Sequence, residues 1–134
     1  MLVSESRALR IANRIGEELS EILINDINDP RLSQITITDV EVDRELAYAD
    51  IFVSALEGFQ RSREVLAGLA HAQGFLRREL AHRIELRVFP RLRFHWDPTL
   101  ERAERIDRLL ASLQQEQDSR IRYDGEGDNY HAID

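Results

Sequence analysis

Hydrophobic residues at helical spacing mark the first element of the chain. Their stripe consists of Ile11, Ile15, Leu19, Ile22 and Leu23. This spacing predicts an amphipathic helix over about residues 5–26, with Ser4 as its N-cap. Arg7, Arg10 and Arg14 fall on a separate face of the same helix. Pro30 follows a run of Asn and Asp residues, so the helix is expected to end before it.

Alternation of apolar and polar residues next predicts a β-hairpin. Residues 35–42 are rich in β-branched side chains, and the apolar positions change from odd at Ile37 to even at Val40. Because side chains alternate with a period of two, that change predicts a β-bulge near Thr38 and Asp39. A short polar turn leads to a second alternating segment over residues 47–54. The short connection predicts antiparallel pairing of the two strands.

The second half of the chain combines helical segments with one further strand. A helix is predicted to begin near Ser62 and to reach Ala72-Gln73-Gly74, where small residues interrupt the pattern before a second helical segment follows. Alternation over residues 86–96 then predicts a third strand. One of its faces holds Leu86, Val88, Pro90, Leu92, Phe94 and Trp96. The other face holds Arg87, Phe89, Arg91, Arg93 and His95.

The end of the chain predicts a helix and then a tail. Thr99 is expected to cap a final helix whose apolar positions extend to Leu113. From Gln114 the periodicity is lost, which predicts an acidic, disordered tail over residues 114–134. Residues 1–113 are therefore expected to form one domain. Its order, α-β-β-α-α-β with a C-terminal helix, predicts a two-layer α+β architecture.

Charge is unevenly distributed along the sequence. The net charge is −7, yet residues 61–108 hold eleven arginines against seven acids. Local charge decides electrostatic attraction, because salt screens fields beyond a Debye length of about 8–10 Å. The second helical pair and the third strand therefore predict a surface for a polyanion.

The sequence contains no pattern typical of catalysis or metal binding. It has no cysteine, and its four histidines lack metal-ligand spacing. Asp39, Glu41 and Asp43 alternate along the hairpin, where a polar surface explains them and an acid–base site is the alternative. We expect no enzyme activity, no catalytic residue, no metal and no cofactor. No signal peptide or membrane-length apolar run is found, so a soluble cytoplasmic protein is expected.

Four local matches, in order, resemble the bacterial ribosome-binding factor A (RbfA) family. They are Asp29-Pro30-Arg31-Leu32 with residues 38–42, residues 44–49, Ala72-Gln73-Gly74-Phe75-Leu76-Arg77, and residues 86–94. The resemblance covers roughly residues 5–113. It implies a single KH-like domain of the type II order, with a helix-kink-helix at Ala-x-Gly. An ordinary KH domain instead clamps nucleotides with a Gly-x-x-Gly loop.

The resemblance also implies a function and a partner. The family binds the immature 30S subunit and assists late maturation of 16S rRNA, including 5′-end processing of the precursor, with a role in cold adaptation. The expected partner is the small ribosomal subunit, through 16S rRNA and its proteins, with the factor acting as a monomer away from membranes. The candidate RNA-binding residues are Arg7, Arg10, Arg14, Arg31, Arg77, Arg78, Arg87, Arg91 and Arg93.

Some alternatives stay open at this point. The elbow at Ala72, Gln73 and Gly74 is either a place where a phosphate backbone approaches, or a helix C-cap at Gly74 beside a packing residue. Spacing does not decide whether the helix and strand arginines face the same way. A protein-interaction module is the alternative function, with Phe89, Phe94, Trp96 and the final helix as a dimer face.

Overall fold

The structure, a computed structural model, describes residues 2–127. The chain consists of two compact units, and the boundary between them in the sequence lies between Pro98 and Thr99. The first unit holds α1 (Glu5–Asn25), β1 (Ile35–Val42), β2 (Tyr48–Ala55), α2 (Ser62–Arg83) and β3 (Arg91–Trp96), with short 3-10 turns at Pro30–Leu32 and Phe59–Arg61. The second unit holds α3 (Thr99–Gly127). The predicted fold class, a KH-like α+β domain with a C-terminal helix, is confirmed.

Helix α1 forms as its sequence pattern predicts. The Ser4 hydroxyl accepts a hydrogen bond from the backbone N–H of Arg7 at 3.1 Å, which satisfies a helix donor that has no partner within the helix. Asp26 is the C-cap, four residues before Pro30. The buried side of α1 consists of Ala8, Ile11, Ala12, Ile15, Leu19, Ile22 and Leu23. The predicted cap, end and apolar stripe are confirmed.

The three strands form one sheet in the order β1-β2-β3. Strands β1 and β2 are antiparallel, whereas β2 and β3 are parallel. The register of the hairpin shifts between Ile37 and Asp39, which confirms the predicted bulge. The carboxylate of Asp43 organises the turn, because its Oδ1 accepts hydrogen bonds from the backbone N–H groups of Ala47 and Tyr48.

The core lies between one face of the sheet and helices α1 and α2. Fully buried members from the sheet include Ile51, Val53 and Leu92, and from the helices Ile15 and Leu69. Since side chains alternate across a strand, the other face of the sheet is turned away from the helices. That outer face carries Tyr48, Asp50 and Phe52 of β2 together with Arg91, Arg93 and His95 of β3.

Helix α2 joins the two helical segments predicted on either side of Ala72-Gln73-Gly74. The helix is continuous from Ser62 to Arg83, and its C-cap is Ile84. The interpretation of Gly74 as a helix C-cap is therefore wrong, because Gly74 lies inside the helix. Ala72 is half-buried against the core, as expected for a packing residue.

The third strand is shorter than its alternating pattern predicts. It begins at Arg91, and residues 84–90 form the α2–β3 loop. The predicted faces are wrong within this loop: Phe89 is buried in the core, whereas Val88 is exposed. Strand β2 begins at Tyr48, opposite Arg91, so residues before Arg91 have no strand to pair with, and the backbone carbonyls of Phe89 and Pro90 accept hydrogen bonds from Arg77 of α2.

Helix α3 extends beyond Gln114, where the sequence pattern places its end. It continues to Gly127, because Gln and Glu residues at 114–117 favour a helix even without an apolar stripe. The boundary that the sequence predicts between the domain and its tail, after Leu113, therefore falls within a helix. Residues 128–134 of the predicted tail lie outside the described residues, and their disorder stays a prediction.

Candidate nucleic-acid interface

The arginines of α1 form an exposed row, of which Arg14 contacts the end of α2. Arg7, Arg10 and Arg14 are exposed, and their spacing places them on one face of the helix. Arg14 donates one hydrogen bond to Glu18 at 3.1 Å and another to the backbone carbonyl of Arg83 at 2.9 Å. Arg7 and Arg10 make no side-chain hydrogen bond or ion pair within the described residues, so both are available to an outside anion.

Two polar residues on one side of α2 hold the chain that leads into β3. The Nε2 of Gln73 donates to the carbonyl of Leu92 at 2.7 Å. The guanidinium of Arg77, one turn later, donates to the carbonyls of Pro90 and Phe89 at 3.2 and 2.6 Å. The predicted elbow residue Gln73 and the predicted RNA-binding residue Arg77 therefore have a structural role that spacing did not reveal.

Gly74 and Arg78 lie on the exposed side of α2. A Cβ atom added to Gly74 would meet one atom at ordinary contact distance, the Nη1 of Arg78 at 3.5 Å. Packing within the described residues thus does not require a glycine there, although glycine in a helix costs about 1 kcal/mol relative to alanine. Arg78 is exposed and makes no hydrogen bond or ion pair in the described part of the chain. This side of the helix leaves the backbone accessible next to a free cation.

The α2–β3 loop and the start of β3 add two more free cations. Arg87 and Arg91 are exposed, and neither side chain has a hydrogen-bond or ion-pair partner among the described residues. The backbone of Arg91 is fixed, because its N–H donates to the carbonyl of Ala47 at 2.9 Å. Its side chain therefore projects from a fixed position at the beginning of the strand.

Arg93 belongs to a closed network on the outer face of the sheet. Its guanidinium binds both carboxylate oxygens of Asp50, at 2.8 and 3.0 Å, and lies 3.9 Å from the centroid of the Tyr48 ring. The Nε2 of His95 lies 2.7 Å from the same carboxylate, and the His95 ring stacks on Phe52. The Arg93 guanidinium, followed by His95, lowers the pKa of Asp50. Arg93 is therefore largely neutralised within the protein.

The helix and strand arginines occupy opposite layers of the first unit. Leu92 is buried against the helices, so its neighbours Arg91 and Arg93 point to the other side of the sheet. This arrangement separates Arg7, Arg10, Arg14 and Arg78 from the strand arginines. The question that sequence spacing left open is thereby answered: the two groups do not form one flat surface.

Arg31 is also engaged within the protein. Its guanidinium binds the Asp29 carboxylate at 2.8 Å, and this contact raises the pKa of Arg31 and lowers that of Asp29. The backbone of the same turn packs on the first half of α2, where a Cβ added to Gly68 would lie 3.2 Å from the Cβ of Arg31. Arg31 thus stabilises the turn before β1 and is far less available than Arg7, Arg10, Arg78 or Arg87.

Sequence reasoning missed the residue that connects the two helices. Arg83 lies at the end of α2 and forms ion pairs with Glu18, Glu21 and Asp26 of the first helix region at 3.2, 3.4 and 2.9 Å. The sequence pattern placed Arg83 near the apolar stripe, covering the core. The acids at 18 and 21 in α1 and at 26 just after it were the available signal, but their partner is more than fifty residues away.

Other kinds of site find no support in the part of the chain that the structure describes. Among the residues whose side chains the structure describes, no three His, Asp or Glu are grouped so that they could hold a metal ion. No helix among these residues is both long and apolar enough to cross a membrane. Asp43 of the acidic hairpin accepts backbone hydrogen bonds at the turn, which accounts for it structurally.

The fold and the exposed arginines define the class of this protein: a small KH-like α+β domain with a cationic helical surface. The family model described as ribosome-binding factor A matches residues 7–110. The chain belongs to the ribosome-binding factor A family. The family member from Aromatoleum aromaticum is 38% identical over 121 residues, which cover 90% of this chain and 95% of that protein.

Solved structures of similar proteins share the fold. A solution NMR structure of a Thermotoga maritima protein, described as a putative ribosome binding factor A, is 30% identical with a TM-score of 0.61, covering 71% of this chain and 91% of that one. A homology model of the Thermus thermophilus factor, fitted into a cryo-EM map of a 30S–RbfA complex, is 24% identical with a TM-score of 0.51 and covers 69% and 92%. The second likeness indicates a shared fold alone.

Proposed function

We propose that this protein binds the small ribosomal subunit and assists late maturation of 16S rRNA, including 5′-end processing, with a role in cold adaptation. Membership in a family named for ribosome binding supports the partner, and the 30S complex described for the Thermus relative suggests the subunit. We further propose that it acts as a cytoplasmic monomer, without catalysing a reaction and without a cofactor.

The observation that carries this proposal is the exposed side of α2 at Gly74 and Arg78. A glycine that packing does not require, beside a cation without an internal partner, permits close approach of a phosphate backbone. Arg7 and Arg10 of α1 and Arg87 of the α2–β3 loop would extend this contact. Together with Arg78 they form the proposed contact surface. Arg14 contributes less positive charge to this surface, because it already forms an ion pair with Glu18.

The remaining candidate RNA-binding arginines are expected to contribute less to RNA contact. Arg91 has a free side chain but lies on the outer face of the sheet. Arg77, Arg93 and Arg31 each bind carbonyl or carboxylate oxygens of the protein itself, and we propose that they support the contact surface by holding its elements in place. RNA contact by any of them would be limited to the guanidinium N–H groups that these bonds leave free.

The test is co-sedimentation with purified 30S subunits, 50S subunits and 70S ribosomes across a salt series. We expect binding to the 30S subunit, with log K falling against log salt with a slope of about −3 to −4.5 if four to five phosphates are neutralised. Substitution of Arg10, Arg78 and Arg87 by alanine should weaken binding and flatten the slope by about one unit for each phosphate that is no longer neutralised. Arg63→Ala is the matched control, since Arg63 is also exposed and unpaired but lies near the start of α2.

One of the three aromatic residues proposed for a dimer face is not available for it. Phe89 is buried in the core of the first unit, so it cannot contribute to a face between two copies. Phe94 and Trp96 are partly buried against the same core. Two results together would favour self-association over RNA binding as the function: a mass that depends on protein concentration in sedimentation equilibrium, and no 30S binding at low salt.

A further inference from the structure

A groove between α1 and the outer edge of β1 takes no part in the proposed RNA contact. Two adjoining cavities, of about 650 and 410 Å³, share Ser20 and Ile37 in their walls and together form this groove. Along α1 it reaches from Ala12 to beyond Leu23, and Ile27 follows the helix. At a rise of about 1.5 Å per helical residue, the groove is on the order of 20 Å long.

One end of the groove is apolar. Leu23, Ile24 and Ile27 line it from one side, and Ile35 and Ile37 of β1 line it from the other. Ile24 is 79% exposed, and the two β1 isoleucines are half-buried. These side chains still expose apolar area that a bound chain would remove from water.

The groove also follows an unpaired strand edge. In the sheet of the described residues β1 pairs with β2 on one side and has no strand on its other side. Alternate backbone N–H and C=O groups of an edge strand point away from the sheet and can pair with an added extended chain. Recognition by strand addition combines such backbone pairing with side-chain pockets, and this groove offers both.

The charge of the groove disfavours a nucleic acid and favours a cationic peptide. None of its lining residues is Lys, Arg or His, whereas Glu17 and Asp39 line its polar end. Neither carboxylate has a basic partner among the described residues. Asp39 accepts only the backbone N–H of its neighbour Val40, at 2.9 Å. These two negative charges repel phosphates and attract Arg or Lys side chains.

We propose that this groove binds an extended peptide segment of a partner protein, which pairs with β1 as a fourth strand. Its apolar side chains contact Ile24 and Ile37, and its Arg or Lys side chains contact Glu17 and Asp39. About six or seven extended residues, at roughly 3.3 Å each, span the groove. The inference is independent of the proposed RNA contact, because the two surfaces share no residue.

The test uses a phage-displayed library of random dodecapeptides, selected on the full-length protein. Binding of the selected peptides is then compared between the wild type and a Glu17→Arg/Asp39→Arg variant. Selected peptides should alternate apolar with basic residues and should bind the variant about tenfold more weakly, since two exposed ion pairs are removed. Glu45→Arg is the matched control, because Glu45 is an exposed carboxylate of the same hairpin outside the groove, and it should not change the affinity.

Further measurements keep the test decisive. If the double variant is poorly folded, Glu17→Arg alone should still weaken binding, because Glu17 is on the surface of α1. N-methylation at alternate peptide residues should abolish binding if the backbone pairs with β1, and hydrogen exchange at β1 should slow in the complex. Selected peptides that bind both proteins equally, or that tolerate N-methylation, would overturn the proposal, as would failure to select any peptide. Concentration-dependent dimers that disappear in Glu17→Arg would assign the groove to a second copy instead.

Discussion

The guanidinium of Arg77 donates a hydrogen bond to the backbone carbonyl of Phe89 at 2.6 Å. This bond holds the α2–β3 loop against α2 while the Phe89 side chain enters the core. The adjacent residue, Arg78, is exposed and has no partner within the described residues. Two neighbouring arginines that are indistinguishable in sequence therefore have different roles, one in the fold and one on the surface.

Alanine substitution should separate these two roles. Arg77→Ala leaves two carbonyls without their donor and should lower the free energy of unfolding by about 1–3 kcal/mol. Arg78→Ala should change that free energy by less than about 0.5 kcal/mol, because it removes no internal contact. It should instead weaken 30S binding and reduce the salt slope by about one unit. Urea unfolding and salt-dependent co-sedimentation measure the two effects.

Arg77→Lys provides the control for charge. Lysine keeps the positive charge but cannot reproduce the planar fork that reaches two carbonyls, so stability should remain below that of the wild type. If Arg77→Ala is as stable as the wild type yet binds the subunit poorly, Arg77 contacts RNA and does not hold the loop.

The glycines of α2 form a second matched pair. A Cβ at Gly68 would lie 2.9 Å from the Cδ2 of Leu32, a buried side chain, and 3.2 Å from the Cβ of Arg31. Gly68→Ala should therefore destabilise the protein, since overpacking costs about 1–3 kcal/mol and exceeds the helix-propensity gain of about 1 kcal/mol.

Gly74→Ala should have the opposite effect on stability. Its Cβ would meet only ordinary contact distances, so the substitution should raise the free energy of unfolding by up to about 1 kcal/mol. If RNA backbone approaches here, the same variant should bind 30S subunits more weakly in co-sedimentation. A variant that is more stable and binds normally would remove Gly74 from the proposed contact surface.

Truncation tests the domain division predicted from the sequence. The core cluster of the first unit consists of residues from Ile11 to Trp96. A chain ending at Leu113 should therefore unfold cooperatively, with a Tm within about 4 °C of the full-length value if the truncation costs less than about 1 kcal/mol. Calorimetry of both chains measures this, and the absence of a cooperative transition would show that residues after Leu113 are needed for folding.

Local patterns were sufficient to predict the elements whose causes are local. The Ser4 cap, the stripe of α1 and the bulge near Asp39 depend on residues within a few positions of each other, and all are confirmed. The length of β3 was not predictable in this way. Its alternating pattern continues back to Leu86, but the pairing begins at Arg91, because the neighbouring strand β2 begins opposite it at Tyr48.

The candidate site depended even more on distant contacts. The sequence indicates that this region is rich in arginine, but not which guanidinium groups already have partners. Arg93 meets Asp50 only because β2 and β3 pair in parallel with these two residues in register. Partner assignment therefore required the structure, and it reduced nine candidate arginines to a smaller group with free side chains.

The network around Asp50 predicts a pH dependence of stability. Arg93 first, and then His95, holds the folded-state pKa of Asp50 below its ordinary value of 3.8. Folding thus favours the ionised carboxylate, so this contribution to stability is fully present above the unfolded-state pKa and is lost as the pH falls through the lower folded-state pKa.

Asp50→Asn should lower Tm near pH 6. The difference in Tm between Asp50→Asn and the wild type should become smaller from about pH 4 downward. Glu45→Gln, an exposed carboxylate without an ionic partner among the described residues, should show no such narrowing. Thermal melts of all three proteins between about pH 6 and pH 3 measure this, and a difference between Asp50→Asn and the wild type that is independent of pH would mean that the Asp50 carboxylate is not stabilised by Arg93.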